Sequence, residues 1–375
     1  MSDLFSPFML GNTRLANRIV MAPMTRSRAP EDIATEQIAL YYAQRATAGL
    51  IITEGTPISR EGQGYLFNPG IFSPAQIAGW KLTTDSVHSV GGKIFAQLWH
   101  VGRVSHTSLQ KNGAAPVSST ATPAANSSAF AYDEQGKPGF VPASAPRALS
   151  TDEVGRVVED FAQAAANARE AGFDGVELHG ANGYLLEQFL NPKVNDRQDR
   201  YGAQTLENRL RFVFEVVDAV CARIGADRVG IRLSPYGQLS DMPLYPEIDE
   251  TYTALCAGLA QRGVAYVHVM DQTNFFFNAD DAEAKADAIK NLLRTCRQTL
   301  GDTPLILAGD LTLARAQARV DEGLLDLPAF GQPYIANPDL VARLKHGWPL
   351  AKPDRDTYYG GSAEGYIDYP PYQPA

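Results

Sequence analysis

Eight short runs of β-branched and aliphatic residues recur along the chain with helically spaced stretches between them, and this alternation constrains the fold more than any other feature. The runs are 18–23, 49–54, 93–98, 174–179, 228–233, 266–270, 304–309 and 325–331. The last is the weakest, because Pro328 removes a ladder donor. Parallel strands joined by crossover helices produce such a pattern. Eight strand–helix units predict an α/β chain folded as a (β/α)8 TIM barrel. The barrel is expected to form one domain over residues 1–375, although length alone would admit two or three domains.

The intervening stretches carry helix start and stop signals. Ser150 with Glu153 fits a capping box; Val154, Val157, Val158, Phe161, Ala165 and Ala168 then follow at helical spacing up to Gly172. Leu206, Leu210, Val213, Val217 and Val220 repeat the pattern, as do Ile248, Tyr252, Leu255 and Leu259 before Gly263. Ser73-Pro74 and Asn337-Pro338 each predict an N-cap followed by proline at the first helical position. A minimal barrel takes about 250 residues, which leaves roughly 125 for additions. Segment 101–149, rich in Ser, Ala, Pro and Asn, predicts a capping insertion after the third strand. Gly11-Asn12 predicts an N-terminal hairpin that closes the bottom of the barrel. Residues 358–375 read either as an ordered extension packed by its tyrosines or, from their Gly and Pro content, as a disordered tail.

Charge and cysteine usage exclude several classes. With 33 basic against 42 acidic side chains, a formal −9, there is no chain-wide basic field to attract nucleic acid. No window reaches the roughly 18 apolar residues of a membrane helix, and the first residues lack a basic segment followed by an apolar one, so the expectation is a cytoplasmic protein without a membrane partner. Cys221, Cys256 and Cys296 are too far apart for C-x-x-C metal spacing and odd in number for a disulfide framework. His88, His106, His268 and His346 have no metal-ligand spacing either; no metal is expected, and these histidines read as incidental.

In a barrel of this kind the chemistry stands at the C-terminal ends of the strands. Those ends carry Ala22-Pro23-Met24-Thr25-Arg26, Gln97-Leu98-Trp99-His100, His179-Gly180-Ala181-Asn182-Gly183-Tyr184, Arg232, Gly309-Asp310 and Gly331-Gln332. Glycines after the seventh and eighth strands suit a phosphate site, where backbone N–H groups approach an anion closely. Plainer readings stand beside these. His179 on its own serves equally as a structural hydrogen-bonder, and Arg232 as half of a buried ion pair with a neighbouring carboxylate. Tyr65, Trp99 and the run Phe275–Phe277 line the mouth or simply pack.

Taken together, Ala22–Arg26, Gln97–Arg103, His179–Phe189, Ile335–Leu340 and Tyr359-Gly360-Gly361 resemble the old yellow enzymes, the flavin-dependent ene-reductases, in a bacterial N-ethylmaleimide reductase-like form and across essentially all 375 residues. The resemblance implies non-covalent FMN, reduced by NADPH or NADH, and small electron-poor alkenes as substrates: enones, maleimides or nitroalkenes. It implies a monomer or small homo-oligomer. Pro23, Thr25, Gly55, Gln97, Arg232, Gly309, Asp310, Gly331 and Gln332 would then contact FMN. Thr25 would donate to the flavin C4 oxygen, Gln97 would pair with the pyrimidine edge, and Arg232 would hold positive charge near N1 and the C2 oxygen. His179 and Asn182 would donate to the substrate oxygen, with Tyr65, Trp99 and Phe275 around it. Hydride would pass from flavin N5 to the β-carbon, and Tyr184 would protonate the α-carbon.

Two departures stand out. Gln332 takes the place of the family's phosphate-gripping arginine, and Asp310 that of a small residue. Both lower the positive charge at the expected phosphate. Two other functions follow from this and from the barrel itself. One is a flavin-free lyase or aldolase, which needs a strand-end lysine or a metal; Lys93 stands at the opposite end of its strand. The other is a weakly flavinated, non-catalytic barrel.

Overall fold

A computed structural model describes residues 3–272, 279–309 and 311–373. Eight parallel strands close into a barrel: β1 (Val20–Met21), β2 (Leu50–Pro57), β3 (Ile94–Trp99), β4 (Gly175–Gly180), β5 (Val229–Leu233), β6 (Tyr266–Met270), β7 (Leu305–Ala308) and β8 (Leu327–Phe330). Each strand pairs with its neighbours in sequence, and β8 closes onto β1. All eight runs are strands. Pro328 is accommodated within β8, opposite Leu307. β1 is shorter than its run, ending before Pro23, although Ala22 still donates its N–H to Phe330 at 3.0 Å.

The crossover helices form where the capping and spacing signals lie. Ser150 accepts from the Glu153 N–H at the start of Thr151–Glu170, and Ser73 accepts from the Gln76 N–H at the start of Pro74–Ser89; both are reciprocal capping boxes. Helix Leu206–Ile224 buries Leu210, Val213, Val217 and Val220. Gly263 ends helix Ile248–Arg262 with φ +66°. One expected cap is corrected: helix Leu340–His346 starts after Asp339. Asn337 instead donates to the Pro333 and Ala351 carbonyls and accepts from the Ala351 N–H, so its amide ties two loops together and is not free to cap.

Val20, Leu50, Ile52, Phe95, Tyr266, Ile306 and Leu327 fill the lower barrel, and Leu10 and Leu15 of the hairpin Phe8–Leu10/Thr13–Leu15 pack beneath them. The hairpin turns at Gly11, whose φ is +53°. A Cβ there would lie 2.5 Å from the Asp227 carbonyl oxygen. Apolar side chains therefore occupy the N-terminal end of the barrel and leave the opposite end for polar groups.

The insertion folds as an antiparallel hairpin, Ser128–Tyr132 with Pro138–Pro142, and a short parallel pair, Val117–Ser118 with Arg147–Ala148. Phe140 of the hairpin meets the rings of Tyr65 and Tyr359 at 6.5 and 6.0 Å, which brings the insertion over the mouth of the barrel. The segment after the barrel packs back against it. Tyr366 is fully buried and stacks on Tyr41 at 4.1 Å. Arg26 and Arg28 donate to the Thr357 and Tyr358 carbonyls, and Arg45 to that of Tyr366. Among the described residues no helix is long and apolar enough to cross a membrane.

Candidate active site

A cavity of about 510 Å³ opens at the C-terminal end of the strands. It brings together Pro23, Thr25, Gly55, Tyr65, Gln97, Trp99, His179, Asn182, Tyr184, Arg232, Gly309, Gly331 and Gln332, contributed by almost every strand end. Phe275 and Asp310 lie outside the described residues. Met24, Met270, Arg355, Tyr358 and Tyr359 also line the cavity, and the sequence reasoning missed them as site residues. Tyr359 was within reach, since it opens one of the quoted motifs.

Strand register sets the polar floor. Gly55, Gln97 and Glu177 stand level across β2, β3 and β4; His179, Arg232 and His268 stand level across β4, β5 and β6. Gln97 donates to Glu177 Oε1 at 2.8 Å, and His268 Nδ1 lies 2.8 Å from Oε2. Burial would raise the Glu177 carboxyl, but His268, Arg232 and Gln97 together hold it below its usual value, so it is an anion. His268 is thereby corrected from incidental to a buried partner of Glu177. The polar residues at 177 and 268, inside apolar strand runs, were the available signal.

Arg232 makes no carboxylate ion pair within the described residues. Its Nη2 approaches Met270 Sδ at 3.2 Å, and its Nε is buried with no partner. The ion-pair reading is corrected accordingly: Glu177 balances this charge at longer range while using both oxygens on other donors. An unpaired guanidinium N–H is costly to bury in an empty protein interior and suits a wall that meets a polar ligand.

Beside Arg232, on the neighbouring strand β4, desolvation, followed by the charges of Arg232 and His268, holds His179 well below its usual pKa and keeps the imidazole neutral. The Ala181 N–H points at His179 Nδ1 at 3.4 Å, so Nδ1 accepts and the proton sits on Nε2. Asn182 holds φ +59°, donates its backbone N–H to Ser234 Oγ at 2.8 Å, and accepts on Oδ1 from Gln272 Nε2 at 3.0 Å. Ser234 in turn donates to Glu187, which also accepts from the Gly183 N–H and from Tyr252. Burial pushes the Glu187 carboxyl up to about 7. Desolvation, and after it the neighbouring Tyr65, raise the Tyr184 phenol well above its ordinary value. Trp99 stacks on Tyr65 at 5.4 Å and meets Tyr184 edge-on at 4.9 Å. This box depends on Gly55, where a Cβ would come within 2.3 Å of the Trp99 ring.

At the far end, a Cβ on Gly331 would sit in ordinary contact with Met24 Sδ at 3.7 Å and Ala22 Cβ at 3.9 Å, so the β8 turn lines the cavity without crowding it. Gln332 donates to the Tyr358 hydroxyl at 2.8 Å, both side chains belonging to the cavity lining. Arg355, in the short 3-10 turn Arg355–Thr357 just before Tyr358, is an exposed cation that also lines the cavity.

The model of the NADH:flavin oxidoreductase / NADH oxidase family matches residues 3–351. The chain belongs to the old yellow enzyme family of flavin oxidoreductases. It is 42% identical over 377 residues to 12-oxophytodienoate reductase 1 of Oryza sativa subsp. japonica, covering 98% of this chain and 92% of that one. Flavin oxidoreductase hxnT of Emericella nidulans is 41% identical, covering 99% of this chain and 98% of its own. Among solved structures, morphinone reductase in complex with tetrahydroNAD superposes with a TM-score of 0.93 at 44% identity, covering 100% of this chain and 98% of that chain. The old yellow enzyme homologue of Zymomonas mobilis gives 0.90 at 39%, covering 98% and 99%. As a member of this old yellow enzyme family the chain is an NAD(P)H-dependent oxidoreductase that uses FMN. Its cavity fits that cofactor: the orphaned Arg232 Nε offers a cationic wall, and the cavity of about 510 Å³ offers the space.

Proposed function

We propose that this old yellow enzyme reduces activated alkenes, in which a C=C bond is conjugated to a carbonyl or nitro oxygen. The observation that carries the reading is the pairing, on one wall, of two neutral N–H donors with a phenol that holds its proton. Thr25, Gln97 and Arg232 would hold the isoalloxazine ring, while the backbone of Gly309 and Gly331, with Arg355 nearby, would hold the phosphate. Bound FMN, reduced by NAD(P)H, supplies the hydride.

His179 Nε2–H and the Asn182 amide donate to the substrate oxygen and stabilise the negative charge that develops on it. Donors of this kind contribute about 10²–10³ each in rate when desolvated. Tyr184 protonates the α-carbon. Because burial raises its pKa, the phenol stays protonated throughout the neutral range and gives its proton only to a strongly basic carbon. The aromatic box of Tyr65, Trp99 and Tyr184 excludes water from that carbon. Support also comes from relatives named as reductases of 12-oxophytodienoate and of morphinone. The lyase reading has no comparable support: Lys93 Nζ is bound to Asp174 at 3.2 Å at the opposite end of β3.

Replacement of His179 and Asn182 together by alanine tests the proposal. Reoxidation of the reduced enzyme by a simple cyclic enone should slow at least 10²-fold. Unchanged reoxidation would remove both residues from the oxygen site.

A further inference from the structure

Gln272 lies just beyond β6, is 1% exposed, and reaches across to the catalytic loop. Its Nε2 donates to Asn182 Oδ1 at 3.0 Å, and its Oε1 accepts from the backbone N–H of Gln238 at 3.2 Å. An amide side chain can lie either way round, but a backbone N–H can only donate. The Gln238 N–H therefore fixes Gln272 with its oxygen toward the β5 loop and its NH2 toward Asn182. That in turn fixes Asn182 with its oxygen toward Gln272. Among the described residues neither Nδ2 hydrogen has a partner, which leaves both for the cavity. Gly237 makes room for the relay, since a Cβ there would stand 2.9 Å from Gln272 Nε2.

We infer that Gln272 is a positioning residue that sets the hydrogen-bond polarity of the substrate site, making Asn182 a donor and so selecting ligands that present an acceptor oxygen. The inference rests on the proposed role of Asn182 and adds what determines that role. Glutamate at 272 would still accept from the Gln238 N–H, but it would offer Asn182 an acceptor. Asn182 would then turn its NH2 away from the cavity and its carbonyl into it. Methionine, of similar length, would release Asn182 without reversing it.

The test titrates FMN-loaded protein with a phenolate, which presents an acceptor oxygen, and with a neutral aniline, which presents a donor in the same shape; binding is read from the flavin absorbance. Four variants are compared with the wild type: Asn182→Ala, Gln272→Glu, Gln272→Met and Gln272→Glu with Asn182→Ala. Gln272→Glu should weaken phenolate about tenfold or more without weakening aniline, and Gln272→Met should weaken phenolate a few-fold. With alanine at 182, the glutamate should have no further effect on phenolate. A loss of the same size in that background would show plain charge repulsion and overturn the inference. Should Gln272→Glu not fold, Gln272→Met decides: wild-type phenolate affinity overturns the inference. If Asn182→Ala alone leaves phenolate binding unchanged, the role of Asn182 fails and the inference fails with it. If Asn182→Ala weakens binding while both Gln272 variants are neutral, only the inference fails.

Discussion

The phosphate end of the cavity gives a prediction in which sequence and geometry pull in different directions. Gln332 stands where the family resemblance leads one to expect an arginine, and its amide is committed to the Tyr358 hydroxyl. Arg355, three residues before Tyr358, is an exposed cation of the cavity lining. A hydrogen bond to a charged group is worth about 1.5–3 kcal/mol when protected from solvent, and exposure reduces an ionic contact to about 1 kcal/mol or less. Arg355→Ala should therefore weaken FMN binding about fivefold, with a larger effect at low salt than at high salt. Gln332→Arg restores a fork that can grip the phosphate with two bonds but gives up the Tyr358 contact. Its net gain should be about 1.5 kcal/mol, or roughly tenfold in Kd. The assay is fluorescence titration of apoprotein with FMN, together with the flavin-to-protein ratio before and after prolonged dialysis. If Arg355→Ala retains flavin like the wild type and Gln332→Arg gains nothing, the loop amides alone satisfy the phosphate and the electrostatic reasoning is wrong.

Tyr184→Phe should leave reduction by the nicotinamide within about twofold and slow reoxidation by enones about 10²-fold, within the usual range for general-acid catalysis. Stopped-flow of the two half-reactions measures both, and equal loss in each would mean that the residue acts through binding or folding. Glu187 predicts a pH dependence of stability. Its folded carboxyl titrates near 7 against an ordinary 4.5, so the unfolded chain releases the proton first as pH rises. Stability relative to Glu187→Gln should thus fall by on the order of 3 kcal/mol between pH about 4 and about 8, at about 1.4 kcal/mol per pK unit. Denaturant titrations at the two ends of that range check this, and a pH-independent difference would show that Glu187 is not held protonated.

The fold was legible because each barrel strand is buried on both faces and so writes an uninterrupted apolar run, while capping residues such as Ser73 and Ser150 mark where helices begin. Asn337 misled because the same amide that caps a helix can also staple two loops, and only tertiary proximity to Ala351 decides between them. In the site, the strand-end residues could be read from position, and the cavity collects them. Their supporting partners could not. Gln272 and Ser234 come from loops after different strands, and nothing in their local sequence says which amide or backbone N–H they will meet. His268 was misread for a related reason, since its partner Glu177 is 91 residues away in sequence and adjacent only once the barrel closes.

The anchoring of the segment after β8 has a consequence for biosynthesis. The barrel has all its strands once Phe330 has been made, yet Arg355, Tyr358 and Tyr359 still have to come back to the cavity rim, and Tyr366 to its stack on Tyr41. A nascent chain halted between these points would carry a complete barrel with an unfinished rim. Loading with flavin is therefore expected to come late in the protein's manufacture, after most of the barrel has left the ribosome.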